Sequence, residues 1–226
     1  MNTMHNSSNL TSWSIQFPSQ TNYHPYGYLI CTPVSMLAAT TFIKLPSQGV
    51  DDSIQIIMDQ LKATFTAQYV EKIMFASHKL YSEVFSKEGH QLMIQELYPW
   101  IPPNAYDKLE AGGLILTEHE NETIEQKSSS TEAEDILLMS LNTLLQQNSL
   151  ISQKNHCKNS VVVTAKGHTI CFMCCESGGL FMFDSLPAVL CYIPKYLLKE
   201  QLTSIFNLRN NDVEYSALVL RLKKEG

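Results

Sequence analysis

No run of apolar residues in this sequence approaches the ~20 needed to span a bilayer as a helix. Clusters of Lys and Arg are missing too: 16 basic residues stand against 22 acidic ones, a formal net charge of −6. Recognition of a phosphate backbone or of an anionic membrane surface rests on such clusters, so neither nucleic acid nor membrane is expected as a partner. Charged residues amount to only 17% and hydrophobic ones to 44%, which excludes a disordered composition and supports a sizeable core. The start, Met1 to Ser12, is polar and rich in Asn and Ser, with no basic opening and no apolar stretch. It reads as a disordered tail rather than a secretory leader. The expectation is an intracellular protein, cytoplasmic or nuclear, with free thiols.

Zinc-type spacing is also lacking. Of the six cysteines (Cys31, Cys157, Cys171, Cys174, Cys175, Cys191), two form a C-x-x-C at Cys171 and Cys174. That pair sits inside an apolar strand and has no second ligand pair, so it reads as buried thiols and no metal or cofactor is expected.

What the chain does contain is order along most of its length. Its 226 residues suit one domain, 13–226, after the tail. Trp13 to Ile30 is rich in aromatic, Pro and polar residues and reads as an irregular arm. From Cys31 the pattern turns helical, with Thr32 as N-cap, Pro33 in the first turn, and Val34, Leu37, Ala38, Thr41 and Leu45 as a buried stripe. Ile54, Met58, Leu61 and Phe65 form the stripe of a second helix, started by Asp51 or Ser53, and Val70, Ile73, Leu80 and Val84 that of a third. Short strands are expected at Leu92–Ile94 and Leu114–Leu116, with a Pro-rich loop at Tyr98–Asn104 between them. Glu118 to Thr131 is acidic and then Ser-rich, and reads as an exposed, flexible loop. Helical order returns from Glu132 to Asn148, with Ile136, Met139, Leu144 and Leu145 available for burial. Strands are then expected at Ser160–Thr164, in a hairpin opened by His168 and closed by Asp184, and at Tyr215–Leu222, with a helix at Pro194–Phe206 before the last. Helices first and a mostly antiparallel sheet last make the class α+β.

The chemistry lies in that hairpin. His168 opens one strand and Asp184 closes the next, so the antiparallel ladder brings an imidazole and a carboxylate to the same end of the sheet. A carboxylate that orients an imidazole makes it a general base, which then needs a nucleophile. Cys31, at or just before a helix N-terminus, has partial positive charge beside its sulfur, which favours the thiolate. His24 is the rival base by proximity in sequence. The order Cys, His, Asp, with the helix before the sheet, matches the papain-like arrangement. The backbone N–H of Cys31 and a side-chain amide from Gln20 or Gln16, with Gln20 the nearer, are the candidate donors to an oxyanion.

Several short motifs carry a family resemblance. Gln20-x-x-Tyr-x-x-Tyr-Gly, Cys31-Thr-Pro-Val-Ser-Met-Leu, Lys79-Leu80-Tyr81, Glu96-Leu97-Tyr98-Pro99 and Gly179-Leu180-Phe181-Met182-Phe183-Asp184-Ser185 resemble segments of the herpesvirus large-tegument-protein deubiquitinases, from about Gln16 to Leu222. The resemblance implies a papain-like cysteine protease fold and cleavage of ubiquitin, polyubiquitin or a ubiquitin-like modifier from lysine side chains. One departure stands out. The viral motif has its histidine two residues after the aspartate, and here that position is Leu186. Either His168 takes the role or the enzyme is dead, and the expectation is an active cysteine-type deubiquitinase. Tyr23, Tyr26, Tyr28 and Trp100 are candidates to wall a channel for Gly-Gly, and Asp51, Asp52, Glu110 and Glu118 to meet a basic tail. The alternatives are another papain-like protease, a deamidase, a ubiquitin-like-modifier protease, or a silent ubiquitin-binding module.

Overall fold

The computed structural model describes residues 13–22, 27, 29–46, 53–82, 114–120, 130–165, 167–206 and 215–222. The tail Met1–Ser12, Leu92–Ile94, Tyr98–Asn104, Val84, and the side chains of Tyr23, His24, Tyr26, Tyr28, Asp51, Asp52, Trp100 and Glu110 lie outside the described residues.

The elements follow in the order β1 (Ser14–Gln16), a 3-10 turn (Gln20–Asn22), α1 (Cys31–Ile43), α2 (Ile54–Thr64), α3 (Ala67–Leu80), β2 (Leu114–Glu120), α4 (Ser130–Asn155), β3 (Asn159–Ala165), β4 (His168–Cys174), β5 (Leu180–Asp184), β6 (Val189–Tyr192), a second 3-10 turn (Lys195–Leu197), α5 (Leu198–Phe206) and β7 (Tyr215–Leu222). The class is α+β. All strands join one antiparallel sheet in the order β1-β6-β5-β4-β3-β7-β2. Among the described residues no helix is long and apolar enough to cross a membrane.

Helices cover both faces of the sheet, which explains the sequence of its central strands. A strand solvated on one side alternates apolar with polar residues, whereas one buried on both faces reads as a near-continuous apolar run. Every residue of β3 and of β5 is buried. On one face Val162, Cys171, Met173, Phe181 and Phe183 pack beneath α1, α2 and α3. On the other, Val161, Val163, Ile170, Phe172 and Met182 meet Leu141 and Leu145 of α4 and Leu198, Leu202 and Phe206 of α5. The expected arrangement of N-terminal helices on a C-terminal sheet thus covers one face only, because α4 and α5 form a third layer.

Helix α1 is the most enclosed of these helices, and ten of its residues are buried. A helix covered on nearly all sides needs no polar stripe. Small residues let its backbone approach the sheet: Ser160 Oγ donates to the carbonyl of Ala39 at 3.3 Å and Ser35 Oγ to that of Thr169 at 3.0 Å. The expected stripe holds at Val34 and Ala38, while Leu37 faces outward. Thr32 is not the N-cap. Ile30 occupies that position with no side-chain cap, and Thr32 is buried inside the first turn. Thr66 does cap α3, accepting from the backbone N–H of Tyr69 at 3.2 Å.

Two further boundaries differ from the sequence reading. The arm contains β1, whose Ser14, Ile15 and Gln16 pair with Cys191, Leu190 and Val189 at the sheet edge. Strand β2 runs through Glu120 and α4 begins at Ser130, positions that composition assigned to the loop. Residues 121–129 lie outside the described residues. In α4 Leu144 and Leu145 are buried as expected, but Met139 is exposed.

Candidate active site

Cys31 is the first residue of α1 and is 1% exposed. The carbonyl of Ile30 already accepts from Val34 N at 3.1 Å, so the helical hydrogen-bond pattern starts one residue before the thiol. Cys31 therefore sits in the first turn, where the aligned peptide dipoles of α1 place partial positive charge beside its sulfur.

His168 opens β4 directly after Gly167, whose positive φ of 71° makes the reversal from β3. That conformation costs glycine little and most other residues more. Asp184 closes β5. His168 Nε2–H donates to Asp184 Oδ1 at 2.9 Å. Asp184 also accepts from the backbone N–H of Leu186 at 2.9 Å, so one carboxylate oxygen is held from two directions. The Cys31 thiol is a hydrogen-bond partner of the same imidazole. Since Nε2 is taken by Asp184, Nδ1 is the nitrogen left for sulfur.

The protonation of His168 follows from these contacts. Burial by itself lowers its pKa, but the hydrogen bond to Asp184, then that to Cys31, and the charges of both outweigh burial and raise it to about 9. The imidazolium is thus the favoured form at neutral pH.

A hydroxyl network joins the two halves of this cluster. Thr32 Oγ1 lies 2.8 Å from Thr169 Oγ1, which lies 2.8 Å from Thr164 Oγ1, all of them buried. Two of the three are chain neighbours of key residues, Thr32 of Cys31 and Thr169 of His168. The network thereby pins the start of α1 to the start of β4.

The two glutamines separate clearly. Gln16 ends β1 and is exposed. Gln20 is 0% exposed, and its backbone N–H donates to the carbonyl of Ser185 at 3.3 Å. Ser185 Oγ donates to Gln20 Oε1, and Gln20 Nε2 is buried with no hydrogen-bond partner among the described residues. Ser19 Oγ donates to the carbonyl of Leu186 at 2.7 Å, and Phe17 N–H to that of Ala188 at 2.8 Å. The arm is thus fastened along the turn that follows Asp184.

Cys31, His168, Asp184 and Gln20 are brought to one end of the sheet by three elements and the arm. The roles of Ser185, Thr169 and the Leu186 N–H were not apparent from the sequence. Their signals were weak: a hydroxyl next to the aspartate and another in an otherwise apolar strand. The other described thiols are placed differently. Burial pushes up Cys171, Cys174 and Cys175, and raises Cys191 to about 11. Among the described residues no group of His, Cys, Asp and Glu is arranged to hold a metal ion.

No protein-family model matches this chain, and no curated protein matches it. Among solved structures it is similar to the ubiquitin-specific protease encoded by a murine cytomegalovirus tegument protein, solved in complex with a ubiquitin-based suicide substrate. The TM-score is 0.55 at 12% sequence identity, and the match covers 92% of this chain and 85% of that one. At that identity the likeness is one of fold.

Proposed function

We propose that this protein is a cysteine-dependent deubiquitinase, a papain-like hydrolase that cleaves the peptide or isopeptide bond after the C-terminal Gly-Gly of ubiquitin or polyubiquitin. Residues 13–226 act as one catalytic domain in this reading. The observation that carries it is the chain of contacts from the Cys31 thiol through His168 to Asp184.

In the reaction, Cys31 gives its proton to His168, and the thiolate attacks the carbonyl carbon of the terminal glycine. A carbon–sulfur bond forms and the carbonyl π electrons move to oxygen. The backbone N–H of Cys31 and Gln20 Nε2 are the donors for that oxyanion. A buried amide NH₂ without a partner costs roughly 1–3 kcal/mol, and an arriving oxyanion removes that cost, which supports giving Gln20 this role. Collapse breaks the carbon–nitrogen bond, and the imidazolium protonates the departing amine. His168 then deprotonates a water, which attacks the thioester. The carbon–sulfur bond breaks and the thiolate–imidazolium pair is restored, while the product leaves as the acid and gives its proton to solvent to become the carboxylate. Asp184 holds the ring throughout and stabilises its cationic form.

Ubiquitin is the substrate to test first because the viral protease of like fold was solved on a ubiquitin-based suicide substrate. The test is incubation of wild type, Cys31→Ala and His168→Ala with ubiquitin carrying a thiol-reactive C-terminal warhead, read by mass. The expected result is one ubiquitin added to the wild type and none to Cys31→Ala. No adduct with ubiquitin, but one with a ubiquitin-like modifier, would change the substrate and keep the chemistry. No adduct with any of them overturns the proposal.

A further inference from the structure

Ser185 lies next to Asp184 in sequence, yet its side chain serves a different partner. Its hydroxyl donates to Gln20 Oε1, and its carbonyl accepts from Gln20 N–H. Both residues are fully buried. A carboxamide has an acceptor end and a donor end of nearly the same shape, and only the donor end can serve an anion. With Oε1 occupied by the Ser185 hydroxyl, the end left without a partner among the described residues is Nε2.

The geometry points to Ser185 as a positioning residue that holds the Gln20 carboxamide with Nε2 presented to the oxyanion. This inference rests on the acyl-transfer reading above and extends it. The three residues Asp184, Ser185 and Leu186 then form one platform. Asp184 holds the base, Ser185 holds the oxyanion donor, and Leu186 supplies an N–H to Asp184 and a carbonyl to Ser19. Base and oxyanion donor are thereby set from a single turn of chain, although they come from different ends of the sequence.

The test uses the full chain and two readouts. One is steady-state turnover of a ubiquitin aminocoumarin amide and of an acetyl-Gly-Gly thioester, the second of which makes no demand on ubiquitin recognition. The other is the rate at which iodoacetamide alkylates Cys31, which needs the thiol and the base but no oxyanion donor. Ser185→Ala is expected to lower kcat roughly 10- to 100-fold, less than the 10²–10³ that follows outright loss of an oxyanion donor. KM should change by less than about twofold, because an interaction made only in the transition state lowers kcat without raising KM. The alkylation rate should stay at the wild-type value, Ser185→Thr should restore turnover, and Gln20→Ala added to Ser185→Ala should cost little more than Gln20→Ala alone. Ser185→Cys, a near-isostere with a weak donor, serves in place of Ser185→Ala if that variant does not fold. Alkylation slowed as much as turnover would mean that Ser185 acts through Asp184 and His168, and would overturn the inference. So would losses that multiply in the double variant. A thioester turned over with no ubiquitin cleavage would reject the substrate and leave this inference standing on the thioester data. A wild type that turns over neither rejects acyl transfer and this inference together.

Discussion

His168 Nε2 lies 2.9 Å from Asp184 Oδ1, across two neighbouring antiparallel strands. The carboxylate determines which ring nitrogen faces the thiol and favours the protonated ring. Both effects are open to measurement.

Asp184→Asn should lower kcat by at least about 100-fold, because an amide in that place favours the wrong tautomer. The pH profile should move with it. In the wild type, activity is expected to fall as pH rises through about 9, where the imidazolium loses the proton that it gives to the leaving amine. Without the carboxylate, burial is left as the main influence on His168, so that alkaline limb moves to lower pH. A profile of kcat/KM against pH in both proteins decides the point.

The same raised pKa enters folding stability. His168 titrates at about 9 in the folded chain and near 6.5 when unfolded. Its contribution to stability is therefore full below about pH 6.5 and fades as pH rises through about 9. His168→Gln should lack that component of the pH dependence, measured by urea denaturation between pH 6 and 10.

Thr169→Val keeps the shape of the side chain and removes its hydroxyl. The bonds to Thr32 and Thr164 are buried, so a loss of about 1–3 kcal/mol is expected. Thr169→Ser should recover most of it. Turnover should fall as well, since the first turn of α1 is then held to β4 by fewer bonds. Denaturant midpoints and kcat for the three proteins check both statements.

Lys158 and Glu176 form a buried ion pair at 3.0 Å, and the same ammonium donates to the carbonyls of Leu45 at 3.3 Å and Pro46 at 3.1 Å, just beyond α1. Lys158→Met would leave the Glu176 carboxylate in the interior without that partner. Breaking such a pair costs about 3–5 kcal/mol, to be read from chemical denaturation. The contact lies at the opposite end of α1 from Cys31, so the alkylation rate of the folded fraction should be unchanged.

Gly179→Ala is expected to destabilise. A Cβ there would lie 2.8 Å from Ile54 Cδ1 and 2.9 Å from Cys175 Sγ, closer than side chains pack. Overfilling of this kind costs about 1–3 kcal/mol, and thermal unfolding of the variant would reveal it.

Sequence reasoning found most of what periodicity can encode. The stripe at Ile54, Met58 and Leu61 is α2, that at Val70 and Ile73 is α3, and the apolar runs of β3 and β5 are strands. It gave α1 a stripe where the helix is enclosed on nearly all sides, because a buried helix leaves no polar face to read. It missed β1, since three residues at a sheet edge are fixed by their partners on β6 rather than by their own pattern. At the site, spacing indicated that His168 and Asp184 meet. It could not separate Gln16 from Gln20, because burial decides between them and burial belongs to the folded arm. The departure at Leu186 is met from β4: His168 Nε2 lies 2.9 Å from Asp184 Oδ1, and Leu186 gives the same oxygen its backbone N–H instead of a ring.

The arm carries one more consequence. Strand β1 has three residues, lies at the outer edge of the sheet and pairs on one side only. Short edge strands open at a fraction of the free energy needed to unfold a whole domain. Amide hydrogens of Ile15 and Phe17 should therefore exchange with solvent sooner than those of β3, which is paired on both sides. Were that opening to run on along the arm to Gln20, its two hydrogen bonds to Ser185 would break, while His168 and Asp184 would stay on the inner strands β4 and β5. Such a molecule would keep a thiol that alkylates and have lost part of what turnover requires, so warming would be expected to silence the reaction before it melts the sheet.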